Sequence, residues 1–318
     1  MVINFVGLFS QPSVTGEISD ETHIARELES LGHEVNRVPR DVWKASVDGH
    51  PTRPDWLLPI KSDINLIAKW PHFDDSKYIL ELRKVSQAPV FYWIWDWMNE
   101  FDPANWNVKM AKASDLYLTG EGGLVGKYRQ AGIPAYYFQM DVCDGRITLD
   151  RSTKKDHELI FTGSWVGKGH RQEWLTKINN EIPIEVFSWN YDKWPSNFKT
   201  YPAVYGAEYN KLIGSSKLVL GFNVEPNCYG YWSNRVGKVL WAGGNLLQEF
   251  SPGMEELVEN NIEFFSSPEE AIEKAKHILQ HGLTPITGDE YRFTSASKVH
   301  KLDALIERYL KRTEDWII

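Results

Sequence analysis

Residues 231–247, YWSNRVGKVLWAGGNLL, run through a helical apolar pattern and close on Gly243, Gly244 and a short apolar strand. A strand pattern, KLVLGFNVE at 217–225, stands just before them, separated by a polar loop. Strand, helix and strand in succession form a crossover unit, and alternation of this kind points to a parallel sheet covered by helices on both faces. Arg235 and Lys238 sit one helical turn apart on the crossover helix of a chain whose formal net charge is −8. An acidic protein has therefore placed two cations at one strand–helix junction.

The same alternation extends in both directions. Before it come apolar runs and helical stripes at Val2 to Phe9, Asp20 to Leu31, Asp55 to Leu58, Leu66 to Lys69, Ser76 to Val85 and Val90 to Trp95, then a strand and exit loop in ASDLYLTGEGG, 113–123. In the first helix Ile24, Leu28 and Leu31 repeat at helical spacing, and Gly32 stands where a left-handed C-cap belongs. Charge and turn residues cluster in DGRITLDRSTKKDHE, 144–158, which marks a domain boundary. Beyond it lie Leu159 to Gly163, Gln172 to Ile178, Ile184 to Ser188, Leu218 to Asn223, the quoted stretch, and a helix from Pro268 to Leu279. Ser267 as N-cap, Pro268 at the first helical position and Glu270 as capping-box carboxylate announce that helix. Val299, Leu302, Ile306, Tyr309 and Leu310 give the chain a terminal helix with one apolar face.

A length of 318 residues suits two domains of roughly 150 each. The expected division is 1–152, 153–296, and a terminal helix at 297–318 crossing back onto the first domain. The fold class is α/β, two doubly wound Rossmann-like domains facing a cleft. Hydrophobic residues at 42% and charged ones at 25% exclude disorder and fibrous architectures. The acidic balance supplies no global field for nucleic acid or an anionic membrane. Cys143 and Cys228 have no metal-ligand spacing, and no run is long enough to span a membrane. MVINFVGLFSQPS lacks a basic leader region and reads as a first strand. A cytoplasmic protein is expected.

Twin α/β domains with loops at strand C-termini have the geometry of nucleotide-sugar glycosyltransferases of the GT-B type. The chain from GEISDETHIARELESLGHEV, 16–35, to the final helix resembles that class, specifically spore-maturation-type glycosyltransferases and, more remotely, phage DNA β-glucosyltransferase. The strand at 217–225, SNRVGKVLWAGGNLL and EFSPGMEELV carry the resemblance to the donor-binding half. It implies transfer of a sugar from a nucleotide-diphosphate donor, a UDP-sugar first, to a hydroxyl acceptor. Alternatives are a DNA glycosyltransferase acting on a hydroxymethylated base in a host cytoplasm, an inactive nucleotide- or carbohydrate-binding protein, and a sugar-nucleotide epimerase.

Arg235 suits a diphosphate, because its planar fork donates two parallel hydrogen bonds and keeps its charge; otherwise it is a surface cation in a salt bridge. Lys238 stands where the family has a Glu that accepts hydrogen bonds from the donor ribose, and an ammonium accepts none. It contacts a phosphate or points to solvent. Retaining members carry two Glu with seven residues between them; Gly230 and Lys238 occupy those positions here, which favours inversion. In FTGSWVGKGHR, 161–171, a strand ends in glycines and cations before a helix, an arrangement that binds anions. By resemblance Gly163, Ser164, Lys168 and Arg171 hold the diphosphate there; the other reading is a tight turn with exposed cations.

Asp96 follows the apolar run of APVFYWIWDWMNEFD, 88–102, and emerges at the C-terminal end of a buried strand. Trp95 and Trp97 can exclude water and raise its pKa towards a general base's. It matches the phage enzyme's catalytic Asp; its bland alternative is a helix cap. Glu21 occupies the position of a family Glu near the first strand–helix turn, where the helix dipole favours a carboxylate in any case. Tyr229 and Trp232 are candidates for stacking on a ligand, or packing residues. No metal site is expected, cations and backbone amides taking its place.

Overall fold

The computed structural model describes residues 1–9, 19–51, 58–68, 75–98, 101–139, 154–165, 169–257, 261–283 and 294–311. The boundary expected at 152 lies outside them, as does the run from Asp55 apart from Leu58. In the first half β1 (Val2–Gly7), α1 (Asp20–Ser30), β2 (Glu34–Pro39), α2 (Arg40–Val47), β3 (Ile64–Ala68) and α3 (Lys77–Ser86) are followed by β4 (Val90–Ile94), α4 (Trp106–Ala113), β5 (Leu116–Thr119), α5 (Val125–Gln130) and β6 (Ala135–Tyr137). In the second, β7 (His157–Thr162), α6 (His170–Glu181), β8 (Glu185–Ser188), β9 (Lys199–Pro202), α7 (Gly206–Gly214) and β10 (Ser216–Gly221) precede α8 (Arg235–Trp241), β11 (Leu246–Glu249), β12 (Ile262–Phe265), α9 (Pro268–His281) and α10 (Ser295–Lys311).

Local chemistry sets the helix ends. Ser19 caps α1 by accepting the Thr22 N–H at 3.3 Å, and past its C-cap Gly32 takes φ +86°. Ser267 Oγ accepts the Glu270 N–H at 3.1 Å at the start of α9. The Glu270 carboxylate reaches back to the Ser266 N–H at 2.7 Å, one residue before the usual capping-box partner.

β1–β6 form one parallel sheet in the order β2-β1-β3-β4-β5-β6, and β7–β12 a second in the order β12-β11-β10-β7-β8-β9. Both faces of each sheet are buried. Along β4, Phe91 and Trp93 enter one core while Val90, Tyr92 and Ile94 enter the other; Leu159 and Phe161 part from Ile160 in the same way along β7. α10 belongs to the first of these cores, where Val299, Leu302 and Ile306 pack with Ile24 and Leu28 of α1. Each such side chain contributes about 1.5–3 kcal/mol by burial.

Each order reverses once, between β1 and β3 and between β7 and β10. Ligands of open α/β sheets bind outside the strand C-termini at such points. One loop, Tyr229 to Asn234, clasps the two halves. Tyr137 Oη donates to the Gly230 carbonyl at 2.8 Å, Gln139 Nε2 to the Trp232 carbonyl at 2.7 Å, and the Gly123 N–H to the Tyr229 carbonyl at 2.9 Å. Gly230 is held at φ +75°, and a Cβ there would lie 2.8 Å from the Tyr137 ring.

Candidate active site

At the β7/β10 reversal the sequence-predicted cations come together. Arg235 opens α8 with its guanidinium carbon 5.7 Å from the Phe161 ring centroid. Gly163 ends β7 close beneath it: a Cβ would stand 3.3 Å from Arg235 Nη2 and 2.8 Å from the Phe161 ring. Glycine is what lets the guanidinium approach the strand end. Arg171, near the start of α6, donates from Nη2 to the Ser164 carbonyl at 3.1 Å. Burial pushes the Arg171 pKa down, and the neighbouring charge of Arg235 adds to that effect. Burial lowers Arg235 as well.

Part of this donor capacity is unused. Among the described residues no carboxylate pairs with Arg235, and neither Arg171 Nε nor the buried Gln172 Nε2 finds a partner. Two guanidinium groups and a helix start at one strand end have the chemistry to take an anion. Lys168 lies outside the described residues.

The pocket has a carboxylate wall that sequence reasoning missed. Glu249 ends β11 almost fully buried, accepting His170 Nε2 at 2.9 Å and the Asn223 N–H at 3.0 Å. Burial raises its pKa, while His170, the Asn223 N–H and Arg171 pull it down. Glu249 thereby ties the starts of α6 and of the loop after β10 to one strand end.

Across the clasp, Asp96 follows β4 half-buried between Trp95 and Trp97. The Trp97 N–H donates to Tyr231 Oη at 3.0 Å, and the two rings stand 5.4 Å apart. Burial and then the charge of Asp96 raise the Tyr231 pKa, so a residue of the second half lies within electrostatic reach of the expected base. A second carboxyl, Glu121, is fully buried just past β5. Its Oε1 accepts the Met98 N–H at 2.9 Å, which fixes the turn carrying Asp96, and its Oε2 has no partner among the described residues. Burial pushes it up to about 7 against the pull of the Met98 N–H. The rule that selects Asp96, a carboxylate at the end of a buried strand, applies equally to Glu121 and Glu249.

The other expected residues make the following contacts. Glu21 is buried, receives the Leu8 N–H at 3.4 Å and lies within electrostatic reach of Arg40, so it braces the turn after β1. Lys238 reaches across to the first half, its Nζ 3.6 Å from Asp20, beside Asn234 on the same carboxylate at 3.5 Å. Trp232 is packed into the second half's core, and Tyr229 is exposed at the clasp. Among the described residues no group of three or more His, Cys, Asp or Glu is placed to hold a metal, and no helix is long and apolar enough to cross a membrane.

Residues 170–284 match the family model described as glycosyl transferase-like. No curated protein matches the chain. A glycosyltransferase involved in avilamycin A biosynthesis shares the fold at 13% identity, with 98% of each chain covered and a TM-score of 0.60. The DNA-modifying enzyme β-glucosyltransferase, solved with and without uridine diphosphoglucose, does so at 12% identity, with 100% of this chain and 99% of that one covered and a TM-score of 0.55. A putative UDP-N-acetylglucosamine 2-epimerase from Listeria monocytogenes follows at 11% identity, 99% and 97% coverage and a TM-score of 0.53. At these identities the likeness is one of fold. The expected architecture and the expected glycosyltransferase resemblance both hold: the chain has the two-sheet α/β fold of these GT-B glycosyltransferases, and its region 170–284 is glycosyl transferase-like in sequence.

Proposed function

We propose that the chain transfers a sugar from a UDP-sugar to a hydroxyl acceptor, with inversion and without a metal ion. The observation that carries this is the Arg235 guanidinium, desolvated at the sheet's reversal point beside Arg171 and lacking any carboxylate partner among the described residues. A nucleotide diphosphate supplies the missing acceptors. Uridine diphosphate is the nucleotide of choice because the epimerase of the same fold is named for UDP-N-acetylglucosamine and the β-glucosyltransferase was solved with uridine diphosphoglucose.

In this reading Asp96 takes the acceptor hydroxyl's proton as that oxygen bonds to the anomeric carbon, while the carbon–oxygen bond to the diphosphate breaks on the opposite side. The leaving UDP gathers negative charge, and Arg171 and Arg235 stabilise it where it forms. Base and leaving-group cations come from opposite halves of the molecule, an arrangement that suits attack on the face opposite the leaving group. Glu121 positions Asp96 through the Met98 N–H, Glu249 positions His170, and Gly163 and Ser164 supply backbone beneath the phosphates.

The test is UDP binding by calorimetry, followed by transfer from UDP-glucose to a panel of saccharides and to hydroxymethylated duplex DNA. Asp96→Asn is expected to bind UDP as wild type does and to lose at least 100-fold in transfer. Absence of UDP binding by wild type refutes the donor assignment. Transfer undiminished in Asp96→Asn refutes the base, and UDP-N-acetylmannosamine formed from UDP-N-acetylglucosamine would replace transfer by epimerisation.

A further inference from the structure

A cavity of about 370 Å³ lies where the first half, α10 and the second half meet. Tyr136, Tyr137 and Phe138 line it from the tail of β6, and Trp232 and Glu256 from the second half. α10 contributes Lys298, Lys301 and Arg308, spaced along one helical face. The volume falls within the range of small-molecule sites. None of the residues assigned above to the donor phosphates lines it.

Its charge is sorted. Lys298 is 8% exposed, with its ammonium 5.3 Å from the Phe138 ring centroid. Lys301 and Arg308 are exposed, and among the described residues neither has an ion-pair partner. The acids of α10 face other groups: Asp303 pairs with His33 at 2.9 Å and Glu307 with Lys311 at 2.9 Å. Three cations therefore meet one carboxylate, Glu256, in a chain of net charge −8. Such local excess selects an anion that the protein's overall field would repel.

We propose that this cavity binds an anionic saccharide, a sugar bearing phosphate or carboxylate. The cations take the acidic group, and the aromatic walls take the ring. The anion rests on the cavity itself; the saccharide rests on the sugar-transfer reading above. Because both halves supply walls, a bound ligand ties α10 to Trp232, three residues before Arg235, and so favours one arrangement of the clasp.

The experiment is calorimetry on the full chain with glucose 6-phosphate, glucuronate, glucose and inorganic phosphate, each with and without saturating UDP. The Lys301→Ala, Arg308→Ala double variant changes only exposed side chains outside the proposed donor pocket. A charged sugar is expected to bind wild type, at least ten-fold tighter than glucose or inorganic phosphate, and at least ten-fold weaker in the variant, with UDP affinity the same in both. Four results overturn the proposal: no charged sugar binds, binding survives both substitutions, inorganic phosphate binds as tightly as the sugar phosphate, or UDP displaces the sugar and so places it at Arg235. Wild type that takes the charged sugar and not UDP would refute the donor assignment alone.

Discussion

Arg235→Met separates a binding arginine from a structural one, because the two roles predict opposite changes. Met keeps an unbranched apolar stem and removes the charge. The folded protein then loses the contact with Phe161, at 5.7 Å a cation–π interaction of about 0.5–2 kcal/mol. It also sheds a half-buried cation that pairs with no carboxylate among the described residues and that stands beside Arg171, a situation costing up to about 2 kcal/mol. The net expectation is a variant between equal in stability and about 2 kcal/mol more stable, read from urea unfolding midpoints. UDP binding moves the other way. A hydrogen bond to a charged group contributes about 1.5–3 kcal/mol, so losing one raises the UDP dissociation constant about 10- to 150-fold by calorimetry. Arg171→Met is the internal control, since Arg171 also holds the Ser164 carbonyl at 3.1 Å and its loss lowers stability as well as affinity. An Arg235→Met variant destabilised by more than about 1 kcal/mol, with UDP affinity intact, refutes the reasoning.

Three further outcomes follow from the cleft. Glu121, carried from 4.5 to about 7 by burial, stays protonated in the folded state while the unfolded chain ionises, so wild-type stability falls as pH rises between those values and is level above. Denaturant titrations should show Glu121→Gln escaping that loss, about 3 kcal/mol in all, and parallel curves for the two proteins would refute the shift. Gly230→Ala forces a Cβ into the left-handed region against the Tyr137 ring and should cost about 2–4 kcal/mol in thermal unfolding; a cost under about 0.5 kcal/mol would mean the clasp is loose. Lys238→Ala should leave stability within about 1 kcal/mol and UDP affinity unchanged, because its partner is Asp20; a ten-fold loss of UDP affinity would return Lys238 to the donor.

The division between what sequence shows and what it hides follows burial. Every interior strand, β1, β3, β4 and β5 in one sheet and β7, β8, β10 and β11 in the other, stands out as an apolar run. The four edge strands are not among the segments read above: β2 and β9 are rich in polar residues, and β6 and β12, though largely apolar, are only three and four residues long. Interior strands of a doubly covered parallel sheet are buried on both faces, as all five residues of β3 and of β4 are. β2 is half-exposed or exposed except at buried Val38, β9 is half-exposed or exposed throughout, and both end in proline, so their membership rests on pairing that no local pattern encodes. The site divides along the same line. Gly163, Arg171 and Arg235 are legible because strand–glycine–cation–helix is a local pattern with local chemistry. Glu121 and Glu249 end strands just as Asp96 does, but their depth depends on what packs over them from distant segments. Lys238 shows the limit most clearly. Its place in the helix marks it as a departure from the ribose-binding pattern, whereas its partner Asp20 lies 218 residues earlier and meets it only because the two sheets face each other. A cation at a donor position can therefore serve the joining of two halves, and only the partner distinguishes that use from holding a phosphate.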